Sequence, residues 1–125
     1  KKLYCIDNGI LNAVSFKFSD DIGRLLENLV FVELKRKGET VYRHKSKHDC
    51  DFLIVRKGKV VQAVQVTQNL DEATKKREYS GLLEAMAIHG LQEGLILTEE
   101  QIGEEKVQGK KIMVKPIWQW LLGVD

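Results

Sequence analysis

Asp51-Phe52-Leu53-Ile54-Val55-Arg56-Lys57-Gly58-Lys59-Val60-Val61-Gln62-Ala63-Val64-Gln65-Val66-Thr67 decides how this chain is read. Two runs rich in β-branched residues flank a tight basic turn at Lys57-Gly58-Lys59, which predicts a β-hairpin with strands over 50–56 and 60–67. Side chains alternate across a sheet. Val60, Val64 and Val66 are therefore expected on one face, and Val61, Ala63, Gln65 and Thr67 on the other. A carboxylate, Asp51, stands at the start of the first strand. Gln65-x-Thr67 closes the second, with both polar side chains pointing the same way.

Working outward, residues 20–37 carry Ile22, Leu25, Leu26 and Leu29 at i, i+3, i+4 and i+7, the mark of an amphipathic helix. Ser19, Asp20 or Asp21 can cap it, and Lys35-Arg36-Lys37 suit the negative end of its dipole. Gly38 is its C′ residue. Val30, Val32 and Leu34 widen the apolar surface, so more than one side of this helix is expected to be covered. Residues 40–45 read as a strand and 46–49 as a polar loop. Beyond the hairpin, Asp71 opens a helix over 72–89 with Tyr79, Leu82, Leu83 and Met86 as its stripe, and Gly90 ends it. Residues 94–98 form a compact apolar strand, followed by an acidic loop and a strand over 111–115. Pro116 fits the N1 position of a short closing helix with Trp118, Trp120, Leu121 and Leu122. Residues 1–18, with an Asp7-Asn8-Gly9 turn, are a lead-in segment. The order α-β-β-β-α-β-β-α predicts an α/β fold, a mixed central sheet flanked by helices.

The 125 residues suffice for one domain, 1–125. Apolar and charged fractions of 43% and 30% are those of a water-soluble protein. No apolar run reaches the ~20 residues of a membrane span, and no secretory signal opens the chain. Cys5 and Cys50 have neither disulfide-motif nor metal-ligand spacing, so both are read as thiols of a cytoplasmic protein. The chain begins Lys-Lys without methionine, which suggests a segment of a longer protein. Net charge is only +2, but residues 35–59 hold nine Lys/Arg against three acids, a local +6. Arg43, Lys45, Lys47, Lys57 and Lys59 are thus the candidates for binding DNA phosphates.

The acids and their spacing suggest chemistry. Glu27 lies mid-helix, Asp51 at a strand start, and Gln65-Val66-Thr67 on the neighbouring strand. A helix carboxylate, a strand carboxylate and a following Glu-x-Lys are how metal-dependent phosphodiesterases gather their ligands. The carboxylates hold Mg²⁺, and the lysine positions water or neutralises the transition state. Structural alternatives stand beside each role. Glu27 can bond a neighbouring loop, Asp51 can satisfy turn backbone, and Gln65 and Thr67 can be exposed strand positions. Glu33 falls in the apolar stripe and needs a partner, for which Arg77 is the candidate. His44 and His48 read as loop histidines, His89 as a helix-end residue, and Trp118 and Trp120 as seals on a core edge.

Gly23-x-x-x-Glu27, Gly38, Asp51 and Gln65-x-Thr67 resemble the PD-(D/E)XK nuclease superfamily, with spacing close to that of archaeal Holliday junction resolvases. Leu25-Leu26-Glu27-Asn28-Leu29-Val30, Glu33-Leu34-Lys35-Arg36-Lys37-Gly38, Arg77-Glu78, Gly94-Leu95-Ile96-Leu97-Thr98 and Pro116-Ile117-Trp118-Gln119-Trp120-Leu121-Leu122 resemble, more narrowly, the C-terminal domain of bacterial and archaeal AAA-type ATPases. The resemblance implies a restriction-endonuclease-like fold. It also implies a site at Glu27, Asp51, Gln65 and Thr67, with Glu27 and Asp51 the possible Mg²⁺ ligands. ATP would belong to an upstream domain, followed by a winged helix; this chain has no Gly-x-x-x-x-Gly-Lys-[Ser/Thr]. The superfamily's Glu-x-Lys is Gln65-Val66-Thr67 here, a weaker ligand for a hard cation and no cation at all. The resemblance therefore points to a degenerate nuclease site in a DNA-binding or assembly module. One alternative is an active Mg²⁺- or Mn²⁺-dependent endonuclease whose lysine is relocated to Lys45, Lys47, Lys75 or Lys76. The other is a protein-interaction domain that docks on its own ATPase and winged-helix domains or forms a homo-oligomer.

Overall fold

The computed structural model describes residues 19–123, with side-chain environments from residue 22 onward. The lead-in over 1–18, with Cys5, and the capping side chains of Ser19, Asp20 and Asp21 lie outside the described residues and side chains. Helix α1 spans Ser19–Arg36, β1 Thr40–His44, β2 Cys50–Arg56, β3 Lys59–Val66 and α2 Glu72–His89. The chain continues through β4 Glu93–Thr98, β5 Gly103–Val107, β6 Lys110–Pro116 and α3 Ile117–Leu122. The six strands form one mixed sheet in the order β1-β2-β3-β4-β6-β5. β3, β4 and β6 run parallel, and the remaining neighbours are antiparallel. The protein is a mixed α/β fold with a central sheet between helices.

Each face of the sheet buries its own core. Ile22, Leu26, Val30 and Leu34 of α1 pack on Phe52, Ile54, Val64, Val66, Leu95 and Leu97, joined by Ile117 of α3. On the opposite face Leu82, Ala85 and Met86 of α2 pack on Leu53, Ala63, Ile96 and Ile112. Asp71 caps α2 by accepting from the Thr74 N–H at 2.8 Å. Gly90 closes it in the left-handed region at φ 69°, where a Cβ would be strained.

Three local differences from the sequence expectation have physical causes. β5 occupies part of the expected acidic loop. Its Gly-Glu-Glu-Lys-Val sequence has no apolar alternation because an edge strand needs only the backbone pairing that β6 supplies. In the β2–β3 pair, Ile54 faces Gln62 but Val55 faces Val60, so one extra residue bulges from β3. The bulge turns Val60 onto the α2 face, away from Val64 and Val66, whose company it was expected to keep. Pro116 ends β6 and serves as N-cap of α3, one residue earlier than expected.

Candidate functional site

A second bulge shapes the site. Between Tyr42 paired with Leu53 and His44 paired with Cys50, β2 carries one more residue than β1. Cys50 and Leu53 then both belong to the α2-side core. Asp51, within the bulge, lines an open cleft of about 830 Å³. Glu27 and Arg24 of α1 and Arg77 and Glu78 of α2 line the same cleft, and Thr67 forms part of its wall. Among the described residues six carboxylates and two arginines line it, so this lining is acidic although the chain is not.

Glu27, Asp51 and Thr67 line this one cleft, and Glu78 lines it with them. The structure separates Gln65 from them. Gln65 is only 2% exposed and does not line the cleft. Its Oε1 accepts from the Asp51 N–H at 2.8 Å, and its Nε2 donates to the carbonyls of Asp49 at 2.9 Å and Glu78 at 3.1 Å. The amide orientation follows from these partners, an oxygen against an N–H and a nitrogen against two carbonyls. One side chain thus ties β3 to the start of β2 and to the middle of α2. A glutamate here would set a carboxylate against two carbonyl oxygens. Gly81 makes room for this junction, since a Cβ there would fall 1.8 Å from the Asp49 carbonyl oxygen and 2.7 Å from Gln65 Nε2.

Asp51 is held differently. Its Oδ2 accepts from the Val66 N–H at 2.8 Å. Burial pushes its carboxyl up to about 7; the Val66 N–H opposes this, and the charges of Glu27 and Glu78 add to it. Burial likewise raises Glu78, with Arg77 opposing at 3.3 Å and Glu27 adding to the rise. Glu27 itself pairs with Arg43 Nη2 at 3.1 Å. Glu78 was absent from the sequence-based site because its position on α2 bears no fixed spacing to Asp51. The only available signal was an acid inside the Arg77-Glu78 resemblance.

As placed, the described side chains do not gather into a divalent metal centre. Gln65 is committed to backbone, one Asp51 oxygen to Val66 and one Glu27 oxygen to Arg43. Among the described residues no three His, Cys, Asp or Glu side chains gather closely enough to hold an ion. The four lysines proposed as relocated cations stay outside the cleft, none of whose described lining residues is a lysine. Lys75 pairs instead with Glu105 at 3.1 Å.

The expected pair of Glu33 and Arg77 does not form. Glu33 is buried, but Arg36 and Lys37 reach it from one turn further along α1, at 2.8 and 3.7 Å. Intrahelical pairing at i+3 and i+4 is the shorter route, and the Arg36 guanidinium holds the Glu33 carboxyl below its usual range. Arg77 pairs with its neighbour Glu78. His44 is also buried rather than in a loop, with Nε2 2.8 Å from Glu84 Oε2, which accepts from the His48 N–H at 3.3 Å as well. Trp120 is half-buried beneath the Lys37 ammonium, whereas Trp118 is 56% exposed and seals nothing.

The five candidate DNA-binding cations do not make one patch. Arg43, Lys45 and Lys47 lie at the cleft end of β2 and Lys57 and Lys59 at its other end, because the strand runs its full length between the two turns. Lys45 and Lys47 are exposed and have no ion-pair partner among the described residues.

No protein-family model matches the chain. It is 34% identical over 133 aligned positions to the uncharacterized protein MJ1544 of Methanocaldococcus jannaschii. The alignment covers 97% of this chain and 29% of that protein, so the chain spans less than a third of its relative's length.

Proposed function

We propose that this chain is a nuclease-derived domain of an AAA-type ATPase that binds DNA without hydrolysing it by the superfamily's route. The observation that carries this reading is Gln65. The position where a metal-binding carboxylate belongs is occupied by a buried amide bonded to Asp51, Asp49 and Glu78. The place of the catalytic lysine is held by Thr67, and no lysine of the described lining replaces it. That absence also weighs against the endonuclease with a relocated lysine. DNA phosphates would meet the exposed Lys45 and Lys47 outside the cleft, since the six carboxylates of its described lining repel them from its floor.

The test is binding of duplex and branched DNA across a salt series, with Mg²⁺ or Mn²⁺ included in a parallel cleavage assay. Lys45→Glu with Lys47→Glu should weaken binding severalfold and reduce the salt slope by about two. Neither metal should support cleavage. Binding that is absent, or indifferent to salt, overturns the reading.

A second reading, that the domain works by docking on protein, draws on α3. Trp118 and Leu122 are 56% and 71% exposed there, unusual for such large apolar side chains. Its own ATPase and winged-helix domains, or a second copy, are the partners this reading names. Mass in solution with Trp118→Ser against the wild type separates it from the first. A wild type that associates while the variant stays monomeric supports docking.

A further inference from the structure

Beside the cleft, α1 and β1 enclose a smaller groove of about 360 Å³, within the range of small-ligand sites. It shares Arg24, Glu27 and Asp51 with the cleft. Its aromatic lining is Phe31, Phe52 and the exposed Tyr42, and the Phe31 ring stacks on Phe52 at a centroid distance of 6.4 Å and an interplanar angle of 20°. Even so, Phe31 remains 43% exposed. Asn28 on the same helix is exposed at the rim and offers both a donor and an acceptor. Arg43 crosses from β1 to Glu27, and Lys45 and Lys47 follow directly beyond it in the chain.

We propose that this groove is a subsite for one unpaired base of a DNA strand, stacked on Phe31, with the adjoining phosphates on Arg43, Lys45 and Lys47. The inference rests on the DNA-binding reading and narrows its substrate to DNA with single-stranded character. A planar base continues the Phe52–Phe31 stack, and stacking accepts any base because every base has a π-face. The amide of Asn28 can meet a base edge, while Arg43 on β1 and Arg24 on α1 line the groove as its cations and Lys45 and Lys47 lie outside it along the chain. A duplex keeps its bases inside and presents none to Phe31. The acidic cleft next door discourages a second phosphate backbone.

The experiment compares the full chain and two variants for binding to a single-stranded oligonucleotide carrying one 2-aminopurine and to a duplex of equal length. Phe31→Leu keeps apolar cover over Phe52 and removes the stacking face. It should weaken single-strand binding roughly tenfold, abolish the quenching of 2-aminopurine, and leave duplex binding unchanged. Phe31→Trp should retain affinity and quenching, which separates stacking from a loss of folding. Duplex binding that depends on Lys45 and Lys47 with no single-strand preference overturns the subsite and leaves the DNA-binding reading standing. Absence of binding to either DNA overturns both. Equal weakening of both DNAs by Phe31→Leu, or no effect at all, also overturns the subsite.

Discussion

The two ends of the β2–β3 hairpin are built from opposite chemistry. At the turn, Lys57 and Gly58 both adopt positive φ, 53° and 76°, as a two-residue turn with the sheet's twist requires. The polar groups there are exposed, and Arg56 is tied to Glu39 across the neighbouring strand. At the cleft end, the Gln65 amide joins the Asp51 N–H to the Asp49 carbonyl under α2, and Asp51 Oδ2 accepts from the Val66 N–H. Charge at the turn is solvated and carries little energy. Polarity at the cleft end is buried, so each missing partner costs about 1–3 kcal/mol. One hairpin therefore has a tolerant end and an unforgiving end, and the residues that look like an eroded catalytic motif lie at the unforgiving one.

Substitutions at the cleft end should have the larger effects. Gly81→Ala is the most severe, because its Cβ would overlap the Asp49 carbonyl and push α2 from the sheet. A loss of roughly 4 kcal/mol or more is expected, measured by urea unfolding; a variant within 1 kcal/mol of wild type would show that the junction is loose. Gln65→Leu comes next. It keeps the volume but leaves the Asp51 N–H and two carbonyls without their partner, and should destabilise by roughly 2–4 kcal/mol.

Asp51→Asn is expected to stabilise, and only in one pH window. The folded state raises this carboxyl from 3.8 to about 7. Between those values the folded protein holds a proton that the unfolded chain releases. Wild-type stability should therefore fall as pH rises from about 4 to about 7. Asparagine removes the buried charge and can still accept from the Val66 N–H. Its advantage should be small at pH 5 and reach about 1–3 kcal/mol at pH 8, read as the difference in thermal midpoint. A pH-independent difference would contradict the burial of that charge. The smallest effect belongs to the turn, where Lys57→Glu with Lys59→Glu should change stability by less than about 0.5 kcal/mol. DNA affinity should also change far less than with Lys45→Glu and Lys47→Glu. An equal loss would mean that both ends of β2 touch the same DNA.

The hairpin, both long helices and the closing α3 were legible because each shows a clear period or a clear stop, such as Gly38, Asp71 and Gly90. β5 was not, because an edge strand of Glu and Lys has no buried face to impose alternation. Glu27, Asp51 and Thr67 line one cleft, and the helix face and strand ends that carry them follow from spacing. The inward turn of Gln65 was not visible. It depends on where α2 presents the Glu78 carbonyl and on the absence of a side chain at Gly81, neither of which a strand pattern encodes. The Glu33–Arg77 pairing failed because a buried acid in a helix takes the cation one turn away before one across the fold. The two bulges, which flip Val60 and shape the bend at Asp51, leave no mark in an otherwise regular alternation.

The central claim is that Gln65 is a structural junction and not a weakened metal ligand. Introducing the Glu-x-Lys pair of the nucleases that the sequence resembles, with Gln65→Glu and Thr67→Lys, tests it directly, by following urea unfolding and Mg²⁺-dependent cleavage of plasmid DNA on the same preparation. The account predicts a protein destabilised by roughly 2–4 kcal/mol that cleaves no DNA. A variant as stable as wild type that nicks DNA in Mg²⁺ would contradict it.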